Sequence, residues 1–190
     1  EMSTQSVWVS TNGIASESSG SVTQLCDRLV RDLTAAESLA EYASLVLPDV
    51  ASEFGVQWVG VAERWPEWKV TAEFGRHQIS ELPRRFYEEA LDREECGLLS
   101  LAEPPGWSVA AAPLSNQAQR QSVLALAGRR VNQADLAGML KVAGVLSRCL
   151  EIAERLETAG RQSERLRETL RVACRLSEIF EMVPLLEALA

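Results

Sequence analysis

The chain has 190 residues, 46% of them hydrophobic and 24% charged, with a formal net charge of −8. That composition allows one domain plus an extension and excludes a disordered polymer. The acidic balance argues against a nucleic-acid partner, and no apolar run approaches the roughly 20 residues of a membrane-spanning helix.

Residues 1–20 are rich in Ser and Thr and carry the turn signal Thr11-Asn12-Gly13. They lack the basic-then-apolar order of a signal peptide, so they read as a flexible leader in which Val7-Trp8-Val9 is a short strand. From Ser21 the apolar spacing becomes helical, with Val22, Leu25, Leu29, Val30 and Leu33 on one side. Thr34 precedes Glu37 by three positions, which predicts a capping box at the next helix start. That helix carries Leu39, Tyr42, Ala43, Val46, Leu47, Val50 and Phe54, with Pro48 expected to kink or reset it and Gly55 as its C-cap.

The period then changes to two. Residues 56–64 and 68–74 alternate as strands around a Trp65-Pro66-Glu67 turn. Residues 80–95 are helical, with Leu82, Phe86, Ala90 and Leu91 on one side. Three strands follow over 97–101, 107–114 and 122–127, the last two joined by the polar loop 115–121. From Asn132 and Asp135 the pattern stays helical to about residue 183. Short turns between neighbouring strands predict an antiparallel sheet with the N- and C-terminal helices packed on one face, an α+β sandwich. A doubly wound parallel sheet is excluded, because strand and helix do not alternate throughout.

The final helix is far longer than one small sheet can cover. Ala143, Leu146, Leu150, Ala153, Leu156, Ala159, Ser163, Leu166, Leu170 and Ala173 follow one another at three- and four-residue steps, as in a coiled-coil seam. One step is irregular: Ala153 to Ser163 breaks the heptad, with Gly160 inside the break. Two readings stand: a solvated linker helix, or a homodimer seam through Leu146, Leu150, Ala153, Leu156, Leu166 and Leu170. A further pattern repeats about 147 positions apart, placing Arg28 on Arg175, Leu29 on Leu176, Leu33 on Phe180, Leu39 on Leu186 and Ala43 on Ala190. Such a period suggests two copies of one module.

Three stretches carry a family resemblance: Phe54-Gly55-Val56-Gln57-Trp58-Val59-Gly60-Val61-Ala62, the strands Ala110-Ala111-Ala112-Pro113-Leu114 and Ser122-Val123-Leu124-Ala125-Leu126, and the helix start Asn132-Gln133-Ala134-Asp135-Leu136. Together they resemble a GAF domain, a small-molecule sensor module of signalling proteins. The resemblance implies a leader over 1–20, a GAF-like domain with flanking helices over 21–155, a linker or coiled-coil helix over 156–175, and the start of a truncated second GAF-like domain over 176–190. It implies a regulatory module of a multi-domain bacterial protein, with an unknown small-molecule ligand, a homodimer through the C-terminal helix and an output domain; the four scattered cysteines make a reducing cytoplasm the default location. A sigma-54-dependent activator is favoured among histidine kinases, cyclases and phosphatases.

A pocket in such a fold is expected on the sheet face away from the terminal helices, roofed by the 80–95 helix. Strand alternation sends Trp58, Gly60, Ala62 and Arg64 to that face and Val59 and Val61 to the other. The candidate ligand residues are Trp58, Arg64, Phe74, Phe86, Tyr87, Trp107 and Ala112; plain aromatic core is the competing reading. Trp65, Trp68 and Trp107, near turns, read as interface or rim residues.

No catalytic residue, metal site or cofactor is expected. His77 is the single histidine and has no triad or metal partners at a recognisable spacing. Cys26, Cys96, Cys149 and Cys174 form no CxxC pair, and Cys26, Cys149 and Cys174 read as small buried apolar residues. No cysteine precedes a histidine, as in bilin-binding GAF relatives, and the Asn-Lys motif of cyclic-nucleotide-binding ones is absent. Cys96 alone stands near the expected pocket, leaving a thiol-based redox enzyme as an alternative beside a ligand-free dimerisation module.

Overall fold

The structure is a computed structural model that describes residues 6–9, 20–64, 66–76, 83–117 and 120–189, without the side chains of residues 116, 117, 120 and 173–189. The chain divides into two compact units, residues 1–153 and 154–190.

Helix α1 (Gly20–Asp32) buries Val22, Leu25 and Leu29 at the expected spacing. The capping residues that follow differ from those expected. Thr34 closes α1 instead, its hydroxyl donating to the Arg31 carbonyl at 2.7 Å. The cap of α2 (Leu39–Phe54) is Ser38, whose Oγ accepts from the Glu41 amide at 3.2 Å while Glu41 Oε2 accepts from the Glu37 amide at 2.8 Å. Both Thr34/Glu37 and Ser38/Glu41 have capping-box spacing, and the turn after α1 takes Thr34 out of the competition. Helix α2 continues through Pro48, held by burial of Val46, Leu47, Val50 and Ala51 on either side of it. It ends at Gly55 in the left-handed conformation (φ +59°), as the sequence predicts.

Among the described residues six strands form one sheet: β1 (Ser6–Val9), β2 (Trp58–Arg64), β3 (Trp68–Gly75), β4 (Cys96–Ser100), β5 (Ser108–Gln117) and β6 (Arg120–Gly128), in the order β1-β4-β5-β6-β2-β3. Every pairing is antiparallel. Strands β5 and β6 run further than predicted, into the polar 115–121 stretch, because ladder bonds between facing strands accept polar side chains at the solvated end. The register slips between Pro113 and Ser115, a place where the missing proline N–H is tolerated.

The sheet separates two apolar clusters. Val59, Val61, Leu124, Leu126, Ala110 and Ala112 face α1, α2 and the first part of α4 (Asp135–Leu189). Trp58, Ala62, Val109, Ala111, Val123, Ala125 and Ala127 face α3 (Arg84–Arg93), with its Phe86, Tyr87, Ala90 and Leu91. Burial on both faces explains the unbroken apolar run Val123–Ala127 in β6, which alternation alone would not produce. Of the predicted 80–95 helix, residues 80–82 lie outside the described residues.

Helix α4 is capped reciprocally: Asn132 Oδ1 accepts from the Ala134 amide at 2.8 Å and Asp135 Oδ2 from the Asn132 amide at 3.0 Å. Its first part belongs to the core, with Leu136, Met139, Val142, Ala143, Leu146 and Ala153 buried. This corrects the predicted dimer seam. Leu146 and Ala153 are occupied by the domain's own core, and Leu150 is partly buried against it. In the second unit the residues from Glu154 to Val172 are exposed apart from the half-buried Glu157, and Leu156, Leu166 and Leu170 are among the exposed ones. The side chains of the predicted second-domain start, 176–190, lie outside the described residues.

The layer under α3 requires a glycine at 60. A Cβ there would lie 2.4 Å from the Trp58 ring. Gly60→Ala is therefore expected to destabilise the domain by about 1–3 kcal/mol, read as a lowered midpoint in urea without a changed slope.

Candidate ligand site beneath helix α3

The sheet face under α3 is floored by aromatics. Trp58 is fully buried and its Nε1 donates to Glu73 Oε2 at 2.8 Å, a bond made possible because Glu73 pairs with Gly60 across the ladder. Trp68 meets Tyr87 edge-on at 5.4 Å between centroids, Phe86 lies 6.4 Å from Tyr87, and Trp8 of β1 lies 5.2 Å from Phe86. The Arg93 guanidinium stands 5.1 Å over the Trp8 ring, within cation–π range. Trp107 is buried in the same cluster.

Of the predicted ligand residues, Trp58, Phe86, Tyr87 and Trp107 come together here, with Arg64 at the end of the same face of β2. Two do not. Ala112 pairs with Leu124 and belongs to the cluster on the helix α1/α2/α4 side. Phe74 pairs with Val59, whose side chain lies in that same cluster, and is 43% exposed. In both cases the strand was identified correctly but its parity was not, since one residue of register moves a side chain to the opposite face. Trp68 and Trp107 are buried core residues, not rim residues, and Trp8 joins the layer; its pairing strand is four residues long and gave no signal of which sheet edge it would join. Trp65 and His77 lie outside the described residues.

Cys96 also requires correction. It sits on the opposite side of the sheet from the aromatic layer, its Sγ 3.6 Å from Met139 Sδ of α4, and burial pushes its thiol up to about 12. A protonated, enclosed thiol is a poor nucleophile, so the redox-enzyme alternative loses its residue. Cys149 is buried as expected, while Cys26 is only partly so.

Two polar atoms in the aromatic layer have no partner among the described residues: Trp68 Nε1 and the Tyr87 hydroxyl. Burial raises the Tyr87 phenol well above its ordinary range, so it stays protonated. A buried unpaired polar group costs about 1–3 kcal/mol. Open space lies at the rim, as a cleft of about 150 Å³ lined by Arg64, Glu88, Leu91, Asp92 and Gln121. Arg64 Nη1 lies 3.4 Å from Glu88 Oε1 and donates to Gln121 Oε1 at 3.4 Å. Among the described residues no three metal-type ligands gather, and no helix is long and apolar enough to cross a membrane.

A six-stranded antiparallel sheet with three helices on one face and one on the other is the GAF-domain fold. The GAF domain of an Acinetobacter phosphoenolpyruvate-protein phosphotransferase matches with a TM-score of 0.55 and 16% identity, over 73% of this chain and 97% of that one. The nlh2 GAF domain of A. aeolicus, in an inactive state, gives 0.54 and 13% over 72% and 96%. The free methionine-R-sulfoxide reductase of Neisseria meningitidis, in complex with its substrate, gives 0.53 and 14% over 74% and 95%. No sequence-family profile matches the chain, and no curated protein does.

Tyr87→Phe is expected to leave stability unchanged or raise it by about 1 kcal/mol in urea denaturation, since it removes an unpaired hydroxyl. Iodoacetamide at pH 8 is expected to label Cys26 while sparing Cys96 in the folded protein, read by peptide mass spectrometry. The raised ionisation of Cys96 has a signed consequence. Its contribution to stability is fully present below pH 9, the unfolded thiol's range, and is lost as pH rises from 9 through about 12. Cys96→Ala is expected to flatten that decline.

Proposed function

We propose that the chain is a regulatory sensor module of a multi-domain bacterial signalling protein, which pairs with a second copy through α4 and passes a change in the domain along that helix. The observation that carries this reading is the dual character of α4. One helix contributes Met139, Val142 and Leu146 to the core and then continues past Ala153 with Leu156, Leu166 and Leu170 exposed at seam spacing. Exposed leucines repeating on a helix are matched by an equivalent helix, as in a coiled coil, and the ion pair of Arg161 with Glu157 illustrates the charged flanks such a seam carries. The GAF domains among the structural neighbours, including one from a putative sensor histidine kinase of Pseudomonas syringae pv. tomato, support a sensory role. The output domain favoured is a sigma-54-dependent activator, with residues 176–190 opening a second GAF-like domain before it.

One observation favours a second reading, a ligand-free dimerisation module: the space under α3 is occupied by Trp58, Trp68 and Trp107, all buried. The rim cleft is what keeps the sensor reading ahead.

Light-scattering mass of the purified chain is expected to be that of a dimer. Leu166→Glu with Leu170→Glu is expected to weaken dimerisation by more than about 100-fold, two buried leucines being worth roughly 3–6 kcal/mol, while the melting of the 1–153 unit stays in place. A monomeric wild type at high concentration would remove the reading.

A further inference from the structure

The cleft beside α3 holds a charge arrangement that its own residues do not resolve. Arg64 projects from the end of β2 and Glu88 and Asp92 from α3, with Leu91 between them and Gln121 of β6 alongside. Both contacts of the Arg64 guanidinium are made by one nitrogen and both are 3.4 Å long. A guanidinium committed to a carboxylate makes two parallel bonds of about 2.8 Å. Glu88 and Asp92, four residues apart on one helix, are like-charged neighbours and repel. Asp92 makes no ion pair or hydrogen bond among the described residues, and Glu88 is held only by its long contact to Arg64.

We propose that this cleft binds the module's ligand and that the ligand is a small zwitterion of the α-amino-acid class. The proposal rests on the sensor reading above. A ligand carboxylate takes the two-pronged face of Arg64, which releases Glu88. A ligand ammonium then sits between Glu88 and Asp92 and removes their repulsion. A purely anionic ligand would meet both carboxylates, and a purely cationic one would compete with Arg64 for Glu88 and leave the guanidinium idle. Only a molecule carrying both charges a few ångströms apart satisfies the three groups together. Size agrees: a cleft of about 150 Å³ has room for a compact amino acid.

The cleft is also placed to be felt by the rest of the layer. Trp68 is the ladder partner of Arg64, and Tyr87 lies one turn before Leu91 on α3. Among the described residues, these two have side-chain polar atoms buried without partners. The side of the cleft that a ligand would draw inward is therefore attached to the least satisfied part of the core.

The test is isothermal titration calorimetry of the full chain with the common α-amino acids, their decarboxylated amines and their N-acetyl derivatives. At least one amino acid is expected to bind, and both its amine and its N-acetyl derivative to bind roughly tenfold or more weakly, each having lost one charged contact. Arg64→Gln is expected to weaken the amino acid without weakening its amine, which no longer competes with Arg64 for Glu88. Asp92→Asn is expected to weaken the amino acid without weakening the N-acetyl derivative, which loses a repelling carboxylate. Thermal melts and light scattering confirm that both variants keep the fold and the dimer. The proposal is overturned if no amino acid binds at millimolar concentration, if the uncharged-end derivatives bind as tightly, or if neither substitution matters. Binding of a nucleotide or sugar phosphate in the same assay would also overturn it while leaving the sensor reading standing. Loss of the wild-type dimer removes the sensor reading by a separate measurement.

Discussion

The organisation of this protein depends on a sheet that is buried on both faces. Strands β2, β5 and β6 must present apolar side chains in both directions, and the layers on the two sides compete for the same ladder. The solution in this chain is asymmetric. Toward α1, α2 and α4 the strands offer valines and leucines, which interlock with helical Leu and Val side chains. Toward α3 they offer mostly alanines and glycines, so that large aromatic rings can lie close to the backbone. The Trp58 ring over Gly60, and the Trp8 and Phe86 rings over Gly97, are the closest of these approaches.

That asymmetry shapes what the α3 side can do. In a layer filled by indole rings, a ligand has little room at the centre and charged chemistry is displaced to the edge. Arg64, Glu88 and Asp92 occur where the aromatic layer ends, at the last residue of β2 and along the exposed side of α3. The opposite side of the sheet is where the fold reaches α4. Ser147 donates a hydrogen bond to the Leu114 carbonyl, and Met139 lies against Cys96 of β4. Strands β4 and β5 thus meet α4 through side chains inside a close-packed interior, which deforms little.

Buried tyrosines mark the two sides differently. Tyr42, in the helix layer, donates to the Leu29 carbonyl at 2.9 Å and joins α2 to α1. Burial, together with a hydrogen bond to Cys149, keeps its phenol protonated far beyond the usual range. Tyr87, in the α3 layer, is equally buried and has no such partner among the described residues. The helix side is a finished core, and the α3 side retains unspent hydrogen-bonding capacity.

The elements and their order were legible in the sequence because their signals are local. Leu25 and Leu29 at helical spacing, the switch to alternation at Val56, Gly55 as a helix stop and Asn132 with Asp135 as a helix start each depend on residues within a turn or two. The division of β2 into Trp58 and Val59 faces was equally readable, since Val59 and Val61 alternate with Trp58 and Gly60 and suit the helix layer. What sequence could not supply was anything set by partners distant along the chain. The parity of Ala112 and Phe74 follows from ladder register with Leu124 and Val59. The capping role of Ser38, in place of Thr34, follows from how α1 ends. Burial of Leu146 and Ala153 follows from the width of sheet that α4 crosses, which spacing alone cannot reveal because coiled-coil seams and core-facing stripes share one periodicity. The rim cleft joins Arg64, Glu88 and Gln121, residues separated by up to 57 positions, and only the folded sheet brings them within hydrogen-bonding distance.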